Sequence, residues 1–599
     1  MGIASGVREQ LGHGRKVRRP STPTGLFAVV GTVAAVVAAA AGCGGSTSSA
    51  APRSPATTTP PASRTTSPAS RTTPAAAASS AAAGWQASIA RTMPADLPGP
   101  AGAASPGSCA NVPGPGWLAA ENRLPGTALP LAGATFADDA AVAAYAARQS
   151  AGCGDRVPVS VSAPAGDYQL RAWRVGDYGG AGARVVWTSA PFAATTHPAG
   201  ADPVGRGPQW PVSVVLQVPP TWRPGLYLLQ VVGTSRRHRS GGWVPLVVRP
   251  GPGSASAAVY VAPTMTWAAY DPYGGASLYR SFAGPDSTAE KRRARTVAMA
   301  RPSVMNGQRQ VAQYTAPLVQ ALEEAGIDVD YLADTDVDAR PGLLAGRAEV
   351  ILGSHAEYAT TRLYDALEAA RNAGTNLAFL GGNQVYWHVR LTRSPDGTPD
   401  TLVLFRELAE DPARLTFPGE ATVRWRDAPL NRPEATLIGA QYAGLGMIAP
   451  WYTLSPPAWT GLHPGETIPM AAAGEVDAAS PASPPRTQVL AQGTTKMSHA
   501  WIDAMVTYYV APSGAAVLDT GSMDTGCLAR GTCPGLVPPP RTRQAVRQLV
   551  HAVVTGFVTP RFGTAHPVDA TAGTWMTGAA FATRYGSRVV GRDIKDDDD

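Results

Sequence analysis

Val350-Ile-Leu-Gly-Ser-His-Ala-Glu-Tyr358 leads into Leu363, Ala366, Leu367 and Ala370, then Gly374, then Asn376-Leu-Ala-Phe-Leu380. A short apolar run, a stripe with helical spacing near 358–373, a glycine stop and a second apolar run spell strand, helix, strand. Neither run alternates with polar residues, so both faces of each strand are buried. That is the pattern of a parallel sheet covered by helices.

The alternation extends outward. Ala257-Ala-Val-Tyr-Val-Ala262 and Asp328-Val-Asp-Tyr-Leu332 read as strands. Between them a helix is expected within 310–325, with Val311, Tyr314, Leu318, Leu322 and Ala325 on one face and Gly326 at its end. Pro317 either starts that helix or kinks it. Residues 395–500 look less regular and carry Pro-rich inserts. Thr507-Tyr-Tyr-Val510 and Ala515-Ala-Val-Leu518 read as late strands, and a helix is expected over 541–557 with Val546, Leu549, Val550 and Val553.

Upstream, 110–250 has another texture. Val157-Pro-Val-Ser-Val-Ser162, Tyr168-Gln-Leu-Arg-Ala-Trp-Arg-Val175, Val212 to Val218, Gly225 to Val232 and Trp243 to Val248 are short runs separated by Gly/Pro turns. They predict an Ig-like β-sandwich. No cluster of acids or histidines marks it as catalytic.

The chain has 599 residues, 44% hydrophobic, with 64 Gly and 56 Pro, and a formal net charge of +7. Such a balance can point to nucleic acid, so its location matters. Residues 1–42 carry +4 and the Ser/Thr/Ala/Pro-rich stretch 46–83 carries +3, leaving 84–599 neutral. No nucleic-acid partner is expected. A basic start, the apolar run Leu26–Ala41 and Ala40-Ala41-Gly42-Cys43 describe an export signal. The ending resembles a bacterial lipobox, in which Cys43 becomes the lipidated first residue on the extracytoplasmic face of the cell membrane. An uncleaved anchor and plain secretion are the alternatives. A linker over 44–108 is too polar and repetitive to order itself, and 46–83 reads as a stalk.

Setting Cys43 aside leaves Cys109, Cys153, Cys527 and Cys533, an even number in an oxidising compartment. Two disulfides are expected, with Cys109–Cys153 and Cys527–Cys533 the local pairing among three connectivities. The expected order is therefore a signal segment 1–42, the linker, a sandwich 109–250, an α/β domain 255–560 and a tail 561–599. The tail ends in the acidic Asp593-Ile-Lys-Asp-Asp-Asp-Asp599.

Ligand sites of parallel α/β sheets lie at the carboxyl ends of strands. Three such ends carry polar or aromatic clusters: Thr266 to Tyr279, with Tyr270, Tyr273 and Tyr279; Ser354-His355-Ala-Glu357-Tyr358; and Gly381-Gly-Asn383-Gln-Val-Tyr386-Trp387. Each alone has an ordinary explanation. Glu357 fits the dipole of a helix N-terminus, His355 a structural hydrogen bond, and Tyr270 and Tyr279 packing. Their convergence on one sheet edge points to a site.

These motifs, with Gly274-Gly-Ala-Ser-Leu-Tyr279, resemble the large (β) subunit of N,N-dimethylformamidase, and more closely bacterial secreted proteins sharing its C-terminal domain. The resemblance covers roughly 255–560. Tyr168 to Arg184 is similar to the domain that precedes it in those relatives. The family implies a flavodoxin-like or class I glutamine amidotransferase-like α/β fold. It implies a mononuclear iron held by two tyrosines and a glutamate, which map to Tyr270, Tyr279 and Glu357. His355 and Asn383 match a catalytic histidine and asparagine. Gly521-Ser-Met-Asp524-Thr resembles a family Gly-Ser-Thr-Glu-Trp motif, making Asp524 its acid, one methylene shorter. Ala359 stands where the family has Trp.

The expectation is an exported iron-dependent amidohydrolase acting on a small amide or other C–N bond. The rival is a non-catalytic surface lipoprotein that binds a cell-envelope ligand. A cysteine-dependent glutaminase is excluded, because no cysteine lies at these strand ends. A small partner subunit and the oligomeric state are not encoded legibly.

Overall fold

In the computed structural model the residues described are 113–130, 141–235, 241–254, 256–281, 292–497, 500–569 and 575–585. The segment read as an export signal, Cys43, the stretch read as a stalk, Cys109 and the acidic end lie outside them. No helix among the described residues is long and apolar enough to cross a membrane.

The centre of the fold is a nine-stranded mixed sheet. Its strands are β1 (Ala258–Ala262), β2 (Val329–Ala333), β3 (Glu349–Ser354), β4 (Asn376–Gly381), β5 (Gln441–Thr453), β6 (Thr467–Ala478), β7 (Gln488–Met497), β8 (Ala500–Val510) and β9 (Ala516–Asp519), in the spatial order β2-β1-β3-β4-β9-β8-β7-β5-β6. The first five in that order are parallel to one another. The remaining pairs are antiparallel.

The expected parallel sheet is therefore half of the observed one. The region 395–500, read as irregular, supplies three of its four antiparallel strands. Two features hid them. Met470-Ala-Ala-Ala-Gly474 lacks the β-branched and aromatic residues that mark strands. Register shifts in β5, β6 and β7 also break the period-2 pattern.

Helices cover the parallel half as expected. They are α1 (Thr264–Tyr270), α2 (Ala316–Glu324), α3 (Thr361–Ala373), α4 (Thr525–Arg530) and α5 (Pro540–Phe557). Alternate strand residues face opposite layers. Val259, Val261, Val350 and Leu352 pack against Leu363, Leu367 and Ala370 of α3. Tyr260, Ile351 and Leu380 pack against Leu318 and Leu322 of α2, Leu528 of α4 and Val550 of α5. Thr360 caps α3 by accepting the Leu363 N–H at 3.2 Å, and Gly374 ends it at φ 103°. Before α2 the chain runs as a helix from Met305 and widens into a π segment over Gln310–Thr315. The wide turn accommodates Pro317, which has no N–H to give to it.

Upstream, a three-stranded sheet (Ala143–Ala146, Arg156–Ser162, Val214–Gln217) and a larger sheet built on Gly166–Val175, Gly225–Gly233 and Gly241–Val248 share one apolar core. Their outer layer merges with the α/β core, where Trp173, Leu226 and Leu228 join Ala258 and Tyr260. Arg174 is fully buried at this seam and forms two hydrogen bonds, 2.7 and 3.0 Å, to Glu323 of α2. The Tyr331 hydroxyl donates to the same carboxylate at 2.8 Å.

Part of the expected tail is folded. Phe562 is buried against Phe557, and the helix Gly578–Tyr585 sets Tyr585 4.2 Å from Tyr452, ring centre to ring centre.

Candidate functional site

β1 runs into α1, whose last residue is Tyr270. The chain then turns and brings Tyr279 back, so that the two rings stack at 5.2 Å between centroids. Tyr273, between them in sequence, packs edge-on against Trp210 of the upstream region instead. That separates the two candidate tyrosines from the third. Arg301 braces the turn by donating to the carbonyls of Ala268, Asp271 and Tyr273 at 2.7–3.1 Å.

β3 ends at Ser354, with φ 58°, and delivers His355 and Glu357, both almost fully buried. Glu357 lies outside α3, whose cap is Thr360, so the helix-dipole reading of this acid fails. The imidazole stands 5.2 Å from the Tyr270 ring. Its Nδ1 faces the Gln310 amide oxygen at 3.1 Å, presented from the start of the π segment.

β4 ends in Gly381-Gly382-Asn383. A side chain on Gly382 would overlap the Glu475 carbonyl oxygen of β6, so glycine is required for the two elements to meet. Asn383 has φ 54°, and its side-chain amide donates to the Glu475 carboxylate. The Asn383 backbone N–H donates to Asp477 at 2.8 Å. Positive φ at Ser354, Asn383, Val385 and Arg406 concentrates backbone strain around this edge.

The His355 Nε2 atom lies 3.3 Å from Glu357 and 3.3 Å from Glu475. Burial alone lowers an imidazole pKa. Here the Glu475 and Glu357 carboxylates outweigh it, and the net shift is upward. Burial pushes Glu357 up to about 7, partly opposed by His355. The Tyr270 phenol is raised by burial and then by Glu357 and Glu475. Arg406 completes the surround, its guanidinium 5.2 Å from the Tyr279 ring centre and 5.0 Å from that of Trp387.

Five of the six residues singled out in the sequence, Tyr270, Tyr279, His355, Glu357 and Asn383, thus meet at one edge. Asp524 lies near Gly474, which precedes Glu475, without touching the five. Among the described residues its carboxylate makes no hydrogen bond or ion pair with them, and burial raises it to about 6. An Asp524 oxygen lies within 4.8 Å of the Cys527 and Cys533 sulfurs. Both sulfurs are committed to a disulfide, so the trio is not a metal set. Cys153 is disulfide-bonded as well.

Glu475, Asp477, Gln310 and Arg406 were not foreseen. Gly474-Glu475-Val-Asp477 held a signal, since two acids two apart in a strand share a face. Gln310 and Arg406 carried none, because a π turn and a left-handed arginine are tertiary features.

Fold and site together define a mixed α/β protein with a buried, acid-rich polar cluster at the ends of its sheet strands. Residues 169–532 match the family model described as N,N-dimethylformamidase beta subunit-like, C-terminal. The match spans more than half of the chain, and the protein belongs to that family. It begins inside the upstream strand Gly166–Val175, within the Tyr168 to Arg184 stretch also read as similar to those relatives, and stops before α5, short of the expected residue 560. No curated protein matches the chain.

Proposed function

We propose that the protein is an iron-dependent amidohydrolase that cleaves a small amide or another C–N bond. The observation that carries this reading is the position of His355, held by Gln310 on one side and by Glu357 and Glu475 on the other. It supplies a mobile proton beside acceptors in a water-poor setting.

The residues fit a hard cation. The Tyr270 hydroxyl is buried without an ordinary hydrogen bond among the described residues, and Glu357 Oε2, buried as well, has His355 Nε2 at 3.3 Å as its neighbour. Phenol and carboxylate oxygens, Tyr270, Tyr279 and Glu357, suit iron better than a soft metal. Bound there, iron supplies Lewis acidity toward an amide carbonyl.

The protein's own groups do the rest. His355, charged by its two carboxylate neighbours, gives a proton to the departing amine nitrogen. Glu475 accepts a proton from the attacking water and holds Asn383. The Asn383 amide donates to the oxygen on which negative charge develops. We assign the base to Glu475, because it touches both His355 and Asn383, and leave Asp524 outside the reaction.

The order β2-β1-β3-β4-β9 supports a flavodoxin-like reading of the parallel half, and the two upstream sheets support an Ig-like sandwich. Disulfides at Cys153 and at Cys527–Cys533 support export. We place the chain on the outer face of a membrane, anchored through lipid on Cys43.

Hydrolysis of a panel of small formamides and acetamides, with and without iron, tests the activity. Release of amine that requires both iron and His355 supports it. A metal-loaded protein inert toward the whole panel favours the ligand-binding rival.

A further inference from the structure

The stretch Arg148-Gln149-Ser150 ties the upstream sheets to the α/β layers. The Gln149 side-chain amide donates to the Met299 carbonyl at 2.6 Å, and the Ser150 hydroxyl donates to Asp336 at 2.6 Å. Arg249 reinforces the same corner, donating to Asp336 at 2.8 Å and to Asp155 at 3.0 Å. A cavity of about 30 Å³ lies here. Four arginines line it: Arg148 and Arg249 from the upstream region, Arg340 after the helix Asp334–Ala339, and Arg393 at the end of the strand Arg390–Arg393. Asp336 is the one carboxylate among the described residues that line it.

The acids of this corner are already committed. Asp336 accepts from Arg249 and Ser150, and Asp155 from Arg249. Asp338 accepts from Arg393 at 2.6 Å. Asp396 senses the charge of Arg148, but its oxygens are held by Ser394 and Thr398 at 2.8–3.0 Å. Among the described residues, neither Arg148 nor Arg340 forms an ion pair or a side-chain hydrogen bond. Arg148 Nε and Nη1 are nevertheless buried, and so is Arg393 Nε, all three without a hydrogen-bond partner. Gln149 Oε1 is the single unpartnered acceptor on the cavity wall, so donors outnumber acceptors there.

Buried donors call for a partner. A neutral water answers with two lone pairs and no charge. A carboxylate answers with lone pairs on two oxygens and neutralises guanidinium charge, and such charge-assisted bonds are about twice as strong as neutral ones. A water needs roughly 10–15 Å³ of such space, so the cavity has room for about two waters or one anion of formate size. We propose that this cavity is a binding site for a small planar carboxylate, held chiefly by Arg148 and Arg340, whose guanidinium forks match its two oxygens. One arginine comes from the upstream region and the other from the α/β layers, so the bound anion links the two and stabilises the fold. The residues of the His355 cluster take no part in it, and the site stands whether or not the protein hydrolyses amides.

Thermal melts of the purified protein in sodium formate, against sodium chloride at equal concentration, test the site. The wild-type Tm is expected to rise with formate beyond the chloride control and then to level off. Arg148→Gln and Arg340→Gln each remove one guanidinium, and each is expected to raise the half-saturating formate concentration at least about tenfold. Arg340 is partly exposed, so Arg340→Gln keeps the test readable should Arg148→Gln fail to fold. Broadening of the ¹³C-formate NMR line by the protein makes the same comparison without heating. A formate effect no larger than that of chloride overturns the site. So does a formate effect of equal strength in wild type and Arg340→Gln, which is the pattern of binding at the His355 cluster or elsewhere.

Discussion

The His355 Nε2 atom lies 3.3 Å from a Glu475 carboxylate oxygen, although β3 and β6 sit on opposite halves of the central sheet. The contact joins the parallel half, which is legible in the sequence, to β6 of the antiparallel half, which is not. Glu475→Gln removes the charge and keeps the shape. The His355 pKa is expected to fall, read by imidazole NMR titration, and kcat to drop by about 10²–10⁴ at unchanged fold. An unaltered His355 titration contradicts the assignment.

Gly382→Ala tests the approach of β4 to β6. The added methyl overlaps the Glu475 carbonyl oxygen, which is backbone and cannot swing aside. A loss of about 1–3 kcal/mol in stability is expected by denaturant titration, together with loss of turnover. A variant with wild-type stability contradicts so close an approach of the two strands.

His388 supplies a separate pH response. Its Nδ1–H donates to the Ala421 carbonyl at 2.8 Å, and its Nε2 lies 3.0 Å from the Thr361 hydroxyl. Burial lowers it to about 4. An unfolded histidine titrates near 6.5, so the unfolded chain binds more protons between those values. This residue's contribution is complete above about pH 6.5 and is lost as pH falls toward about 4. Thermal melts of wild type and His388→Gln are expected to diverge across that window, with the wild type more acid-sensitive. Parallel curves refute it.

Arg174→Ala strips the partner from a fully buried Glu323 at the seam between the upstream sheets and the α/β layers. A loss of about 3–5 kcal/mol is expected in denaturant titration. A loss below about 1 kcal/mol, the size of a surface pair, is incompatible with a buried seam.

The sequence displayed the parallel strands because Val350 to Gly353 and Leu377 to Leu380 are uninterrupted apolar runs. It displayed five site residues because strand ends in such sheets collect ligands. It concealed β5 to β7, whose alanines, glycines and bulges blur any period. With them it concealed Glu475 and Asp477. Asp524 was reached by motif resemblance alone, and its carboxylate lies beside the Cys527–Cys533 disulfide rather than in contact with His355. Gln310 depends on a π turn whose position no spacing announces.

The proposed chemistry depends above all on a hard cation held by Tyr270, Tyr279 and Glu357. The decisive measurement is the metal content of the purified protein after loading with ferrous or ferric iron, alongside Glu357→Ala. About one iron per wild-type chain, and none retained by the variant, is the expected result. Wild-type protein that retains no metal under any loading condition contradicts it.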